Sequence, residues 1–451
     1  MDDTLIPSDI PNRTAAVPQG RTRRLVHLGL AVSEMAAGAA LEGASRLARG
    51  EALTPGTLLL TPGNARRLAE RLSTLRGAAM KLGQLMSMDG QGVLPPAFAD
   101  LLAGLRERAH IMPATQLVEV LEAEYGEGWD RRFRRFSFQP IASASIGQVH
   151  RAETHTGRLL AIKLQYPGVR QSIDSDVANI ALLARTPGLI PAGMAKDVAP
   201  LLARLREQLL IETDYLTEAR LATEYRQKLG DDAVLRVPQV YAPDCTANIL
   251  AMDFEPGLPI DQLAKGNQPQ ALRDHVAAAL CRLAVRELFE MRLVQTDPNF
   301  GNYLFDQASG QIALLDFGAT QAVSSERVEQ LRGLGCAVRD GDAARTLVAA
   351  RSLGLLGESD DADSPSQVQA LVELLLMLGE PLRYRGDYDF GASDLIRRVF
   401  DLGQAQLAAQ GYARTPPPDL MWLQRKFVGT FLLCVRLRAR VNLAAVFGEQ
   451  L

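Results

Sequence analysis

Gln295-Thr296-Asp297-Pro298-Asn299-Phe300-Gly301-Asn302, followed further on by Leu315-Asp316-Phe317-Gly318, concentrates the chain's most telling polar residues. Asp297 and Asn302 stand five positions apart. Between Asn302 and Asp316, the apolar runs Tyr303–Phe305 and Ile312–Leu315 flank the turn Asp306–Gly310, a pattern that predicts a β-hairpin. The residue types suit transfer of a phosphoryl group. A polyphosphate must have its charge neutralised, and Mg²⁺ takes oxygen ligands. Asn302 and Asp316 would supply them, and Asp297 would orient or deprotonate a nucleophile.

Protein kinases place a catalytic Asp five positions before a metal-binding Asn, then a hairpin, then Asp-Phe-Gly. Any one of these motifs is common, but the ordered set is specific. Upstream, Ile146–Ala152 and Arg158–Leu164 read as two strands joined at His155-Thr156-Gly157. Lys163, in Ala161-Ile162-Lys163, matches the strand lysine that contacts the α- and β-phosphates and pairs with a helix Glu. The next helical stretch offers Glu207, Glu212, Asp214 and Glu218 as partners. The usual Gly-rich phosphate loop is replaced by Ala142-Ser143-Ala144-Ser145-Ile146-Gly147. Small side chains still let backbone amides approach phosphates, but without glycine's freedom the loop should be stiffer. His-Arg before Asp297 and an Ala-Pro-Glu segment after Gly318 are both missing, which weakens the case for a peptide substrate.

Outward from this centre the pattern is helical. Helices are expected over Asn64–Ile111, broken near Leu94-Pro95-Pro96, and over Ala114–Tyr125, ending at Gly126. One long helix is expected from about Val198 to Lys228, with Leu201, Leu205 and Leu209 on one face. Asn248–Met252 reads as a strand. Arg273–Met291 reads as a helix with Val276, Leu280, Leu283 and Ala284 on one face. Ser324–Leu451 is mostly helical, interrupted at Thr415-Pro416-Pro417-Pro418.

The 451 residues are 47% hydrophobic, enough for two or three packed units, and the net charge of −3 gives no basic excess for nucleic acid. Cys245, Cys281, Cys336 and Cys434 form no Cys-x-x-Cys pair, so free thiols are expected and zinc is not. The acidic, proline-containing opening leads to the expectation of no secretory signal. The apolar stretches Leu28–Leu41 and Phe427–Val435 fall short of the ~20 residues of a membrane span.

The departures from ordinary kinases resemble the UbiB/ADCK family of atypical kinases linked to ubiquinone biosynthesis. Its marks occur in order: Lys81-Leu82-Gly83-Gln84, the Ala-rich loop Ala142–Gly147 with Ser143 replacing an alanine, Lys163-Leu164-Gln165-Tyr166-Pro167-Gly168-Val169, Glu212-Thr213-Asp214, Gln295-Thr296-Asp297-Pro298-Asn299 and Leu315–Thr320. The likeness runs from about residue 60 to the C-terminus and includes Pro416-Pro417-Pro418 and Arg425-Lys426.

This resemblance implies an α+β, protein-kinase-like two-lobed fold. Residues 1–20 would be a disordered tail. Residues 21–60 would hold a helix, lying either on the protein or on a membrane surface. Residues 61–135 would form the extension carrying Lys81, 136–255 the N-lobe, and 256–451 the C-lobe with a helical C-terminal extension.

For the site, Asp297, Lys163 and Glu212 are grouped as catalytic, and Asn302 and Asp316 as metal ligands. Ala142 to Gly147, Lys163, Met252, Asp253 and Phe254 are grouped as ATP-binding. Lys81, Gln84, Asp214 and Glu218 are grouped as regulatory, with Lys81 expected near Glu212 and Asp214 in a buried ion-pair cluster. Which acid pairs with Lys163 and which with Lys81 stays open.

The implied cofactors are Mg²⁺ and ATP. The implied activity is that of an ATPase or atypical kinase whose Lys81 segment blocks protein substrates. A protein kinase acting in trans and a non-catalytic nucleotide-binding scaffold are the alternatives. Implied partners are ATP or ADP, quinone-biosynthesis proteins and lipid intermediates, without nucleic acid. The expected location is cytoplasmic, with peripheral contact at the inner membrane left open, as is a homodimer.

Overall fold

The computed structural model describes Lys81 and residues 111–184, 198–265, 268–357, 363–410 and 416–451. The expected tail, N-terminal helix and 64–111 helices lie outside these residues, Lys81 and Ile111 excepted. The chain divides into two units, one holding the residues up to Arg220 with Gln239–Phe254, the other Leu221–Pro238 with Glu255–Leu451.

The first unit is built on an antiparallel sheet with strand order β1-β2-β3-β5: β1 Arg135–Ser143, β2 Gly147–Glu153, β3 Leu159–Gln165 and β5 Ile249–Asp253. One face of β3 presents Leu160, Ile162 and Leu164, all fully buried against Leu117 and Leu121 of helix α1 (Ala114–Tyr125) and against Trp129 and Phe133. Gly157 supplies the positive φ (82°) of the β2–β3 turn. Gly147 serves a different need. A Cβ there would overlap the carbonyl of Leu164, so glycine lets β2 lie close to β3.

Strand β1 was not expected from the sequence. Pro140 sits inside it and the register shifts on both sides of that proline. Proline is tolerated because β1 is an edge strand. Helix α2 (Val169–Ala184) was also unexpected. Its buried residues include Ser172, Asp176 and Asn179 beside Ile173 and Ile180, so the buried face does not read as apolar.

The single helix expected over Val198–Lys228 is two: α3 (Val198–Glu212) and α4 (Tyr215–Leu229). At the break, the N–H groups of Thr213 and Asp214 donate to the carbonyls of Leu210 and Ile211. The Asp214 carboxylate then accepts from the Thr217 N–H (3.0 Å) and hydroxyl (2.8 Å), capping α4.

In the second unit, a four-stranded sheet has the order β4-β9-β8-β6, with β4 Leu235–Arg236, β6 Leu258–Pro259, β8 Tyr303–Phe305 and β9 Ile312–Leu314. The expected hairpin is β8–β9. The expected helix at 273–291 starts earlier, as α6 (Gln270–Arg286), after the short α5 (Ile260–Lys265). It ends in a π-helical turn, Glu287–Met291, that points the Glu287 side chain into the interior. Left-handed Arg292 (φ 52°) then redirects the chain into β7 (Leu293–Gln295), which pairs with β10 (Thr320–Ala322).

Beyond β10 the chain is mostly helical: α7 Ser325–Asp340, α8 Ala343–Ser352, α9 Pro365–Leu378, α10 Glu380–Arg383, α11 Leu395–Gln410 and α12 Pro418–Leu437. A small unexpected strand pair, Tyr388–Asp389 with Arg440–Val441, interrupts them. Leu420 and Leu423 of α12 pack with Leu288, Val294, Val328 and Leu353, which anchors α12 beside β7. Cys281 of α6 and Cys434 of α12 lie 3.5 Å apart between sulfurs, and all four cysteines are free thiols. Among the described residues, no helix is long and apolar enough to cross a membrane.

Candidate active site

Lys163 points from β3 toward α4. Its Nζ donates to both carboxylate oxygens of Glu218, at 2.8 and 3.1 Å. It also lies 5.0 Å from the centre of the Tyr215 ring. Glu218 is buried and the Lys163 side chain keeps 14% exposure, so the ammonium is held firmly without being sealed off.

Lys81, buried, pairs with Glu212, which also accepts from the Ser145 hydroxyl of the Ala-rich loop. The pairing that the sequence left open is thereby assigned: Glu218 to Lys163 and Glu212 to Lys81. Asp214 departs from expectation. It is exposed and spends its carboxylate on Thr217, so it does not join the Lys81 cluster. The Thr217 N–H holds the Asp214 carboxyl below the usual carboxylate range, helped by the Thr217 hydroxyl, Arg170 and Arg220 against a small cost of burial. Gln84 lies outside the described residues.

The loop between β1 and β2 is short and tied. Ala142 and Ser143 belong to β1, paired with Val149 and Gln148, and Gly147 opens β2. The Ala144 N–H donates to the Gly147 carbonyl (2.9 Å), and the buried Ile146 accepts from the Tyr166 N–H (2.9 Å). Of the other expected nucleotide contacts, Met252 is buried in β5, opposite Ala161. The Asp253 carboxylate accepts from Arg158 (3.0 Å) and Tyr241 (3.1 Å), and the Phe254 N–H donates to Leu159 (3.0 Å). Those two groups are therefore engaged within the first unit.

In the second unit, the Asp297 carbonyl accepts from the Gln295 side chain (2.8 Å) and from the Asn302 amide nitrogen (3.1 Å). Asn299 caps the single 3₁₀ turn Phe300–Asn302 through Gly301. The Leu315 N–H donates to the Asn302 carbonyl (3.0 Å), so the hairpin brings Asn302 beside Leu315-Asp316. The Asp316 carboxylate accepts from Gly318 N–H (3.1 Å), and Phe317 is buried with its ring 4.9 Å from that of Tyr225.

The donor set fits Mg²⁺. Binding of the Asn302 nitrogen to the Asp297 carbonyl turns its amide oxygen the other way, and Asp316 adds a carboxylate. Mg²⁺ ordinarily takes one or two such ligands and keeps water and phosphate oxygens for the rest.

Two groups were quoted in the sequence without a role. Arg425 of α12 reaches Asp297 with its Nη2 2.8 Å from Oδ1. Its neighbour Lys426 forms a sealed pair with Glu287 (2.6 Å), which also accepts from the Tyr225 hydroxyl (2.6 Å) and the Gln295 N–H (3.2 Å). Burial works against the Lys426 charge, but Glu287 and Tyr303 outweigh it and raise the pKa above the ordinary lysine value. Both contacts span more than a hundred residues, and no local signal in the sequence could have announced them.

Known proteins resemble this chain over most of its length. Residues 104–349 match the ABC1 atypical kinase-like domain. The chain is 36% identical to atypical kinase COQ8B, mitochondrial, of Rattus norvegicus, over 97% of this chain and 82% of the relative. It is 35% identical to atypical kinase COQ8, mitochondrial, of Saccharomyces cerevisiae, over 97% and 86%. The solved structure of Rv3197 with erythromycin, from Mycobacterium tuberculosis, superposes with a TM-score of 0.59 over 86% of this chain and 95% of that one, at 23% identity. The fold is thus α+β and protein-kinase-like. The chain belongs to the ABC1 atypical kinase-like family, the UbiB family, and is similar over nearly its whole length to the COQ8 kinases.

Proposed function

We propose that this chain binds Mg²⁺–ATP and turns it over as an atypical kinase or ATPase in support of ubiquinone biosynthesis. The observation that carries the reading is the two-pronged Lys163–Glu218 pair, which fixes an ammonium for phosphate contact on a rigid strand. Lys163 would take phosphate oxygens, and Asn302 and Asp316 would hold the metal. A bound Mg²⁺ would neutralise charge on the polyphosphate. Asp297 would orient the attacking hydroxyl or water. ADP would leave as product.

Burial of Lys81 against Glu212 supports a regulatory part for its segment. We assign that segment, with Gln84, to excluding protein substrates. The domain limits 61–135, 136–255 and 256–451 are retained as the working division. Quinone-biosynthesis proteins and lipid intermediates are the partners proposed, at the membrane periphery, because the COQ8 relatives are named as mitochondrial kinases of this family.

The test is direct. Asp316→Asn should abolish Mg²⁺-dependent ATP turnover in the purified chain, and cells lacking the protein should lose ubiquinone. Unchanged turnover in Asp316→Asn, or normal quinone content in the deleted strain, would defeat the proposal.

A further inference from the structure

Arg425 and Gly429 lie one turn apart on α12 and therefore share a face. That face meets the loop carrying Asp297. Arg425 donates to the Asp297 carboxylate at 2.8 Å, with side-chain exposures of 12% and 8%. At Gly429 a Cβ would run into the Pro298 ring, so glycine is what lets the helix approach the loop this closely. The neighbouring Lys426 locks α12 in place through Glu287. The helix is thus anchored by one cation and presents the next to the reactive carboxylate.

The loop divides its labour. The Asp297 backbone is held by Gln295 and Asn302 through its carbonyl. These bonds act on the carbonyl and not on the carboxylate, whose torsion in Asp is intrinsically broad. A planar guanidinium directed at one oxygen narrows it, because a carboxylate is rigid and fixing one oxygen fixes the direction of the other. Arg suits this better than Lys because its N–H lies in a rigid plane with a fixed direction, whereas an ammonium is a rotatable point charge.

We propose that Arg425 is a positioning residue for phosphoryl transfer, setting the Asp297 carboxylate so that its second oxygen meets the attacking hydroxyl or water. The inference rests on the reading of Asp297 as the group that orients the nucleophile. It names a contribution from the C-terminal helix that the motif around Asp297 does not contain. Small misplacements of a reacting group cost on the order of a hundredfold in rate, and that sets the scale of the effect.

The experiment uses the full chain and two separate readouts: steady-state Mg²⁺–ATP hydrolysis, and ADP affinity by calorimetry. Arg425→Gln should lower kcat by about 30- to 100-fold, with the KM for ATP and the affinity for ADP within about twofold of wild type. Arg425→Lys should recover only part of kcat, because it restores charge without the fixed donor direction of a planar guanidinium. A parallel loss of kcat and ADP affinity would mean a structural role and overturn the inference. So would an unchanged kcat in Arg425→Gln. If Arg425→Gln fails to fold, Arg425→Lys decides: wild-type kcat overturns the inference, and a lowered kcat with unchanged ADP affinity supports it. Failure of the wild-type chain to bind ATP would remove the functional reading and this inference together. Wild-type turnover with an indifferent Arg425 removes the inference alone.

Discussion

Two of the buried lysine–glutamate pairs, Lys163–Glu218 in the first unit and Lys426–Glu287 in the second, are built for different ends. In the first unit, Lys163 keeps 14% of its side chain exposed while Glu218 beneath it keeps 3%. In the second, Lys426 and Glu287 keep 2% and 0%, and Glu287 is further bonded by Tyr225 and the Gln295 backbone. A sealed pair with further bonds to its carboxylate fixes the position of α12 and β7, and removing one partner leaves a buried charge. A pair with one accessible member can accept a ligand at the ammonium while the carboxylate holds it in place. The same two residue types therefore serve shape in one place and chemistry in the other, and the difference lies in burial and in the number of further bonds.

Substitution separates the two. Lys163→Met should lower ATP turnover per folded molecule by roughly 10²–10³-fold, the scale of losing a preorganised charge at a phosphoryl group, besides the stability lost through the stranded Glu218 carboxylate. If turnover survived, Lys163 would be no more than a structural lysine and the contrast would vanish. Lys426→Met should act through stability alone, costing about 3–5 kcal/mol in urea unfolding through the stranded Glu287 while the folded fraction keeps its turnover. Adding Glu287→Leu to Lys426→Met should return most of that loss, since a buried apolar pair can replace a buried ionic one. No recovery in the double variant would mean that the bonds from Tyr225 and Gln295 to Glu287 matter more than the charge.

A smaller effect concerns a sealed group in the first unit. His150, stacked on Phe136 at 5.6 Å, has its pKa lowered by burial to about 4, a bond to the Ser137 carbonyl opposing this only in part. The unfolded chain takes up a proton near the ordinary histidine value of about 6.5, while the folded chain resists it. Stability should therefore fall as pH drops from about 6.5 to about 4, by at most about 3 kcal/mol. His150→Phe should flatten that part of the profile. An equal slope in both proteins would assign it to other groups.

The chemistry-bearing core was legible because its geometry is local. Asp297, Asn302 and Asp316 sit at the two ends of one hairpin, and hairpin spacing is written in turn residues and alternating apolar positions. Lys163 could be read for the same reason, as the end of a strand that follows a turn. Strand β1 and helix α2 escaped because one carries a proline tolerated only at a sheet edge, and the other buries Ser, Asp and Asn. Both facts depend on what lies alongside.

Glu212 and Glu218 show the boundary most clearly. They lie six positions apart in what the sequence presents as one helix, and as one helix either could meet Lys163. The break at Thr213-Asp214, capped by the Asp214 carboxylate, turns the chain and gives each acid a different lysine.

Residue order alone carries the succession of strand lysine, acidic helix, Asp297 loop and Asp-Phe-Gly, and with it the kinase-like class. Which charges meet is set by the folded chain. Arg425 reaches Asp297, Lys426 reaches Glu287, and Glu218 rather than Glu212 holds Lys163. Charge pairing depends on distance in space and on burial, and neither is recorded in the spacing of residues along a chain.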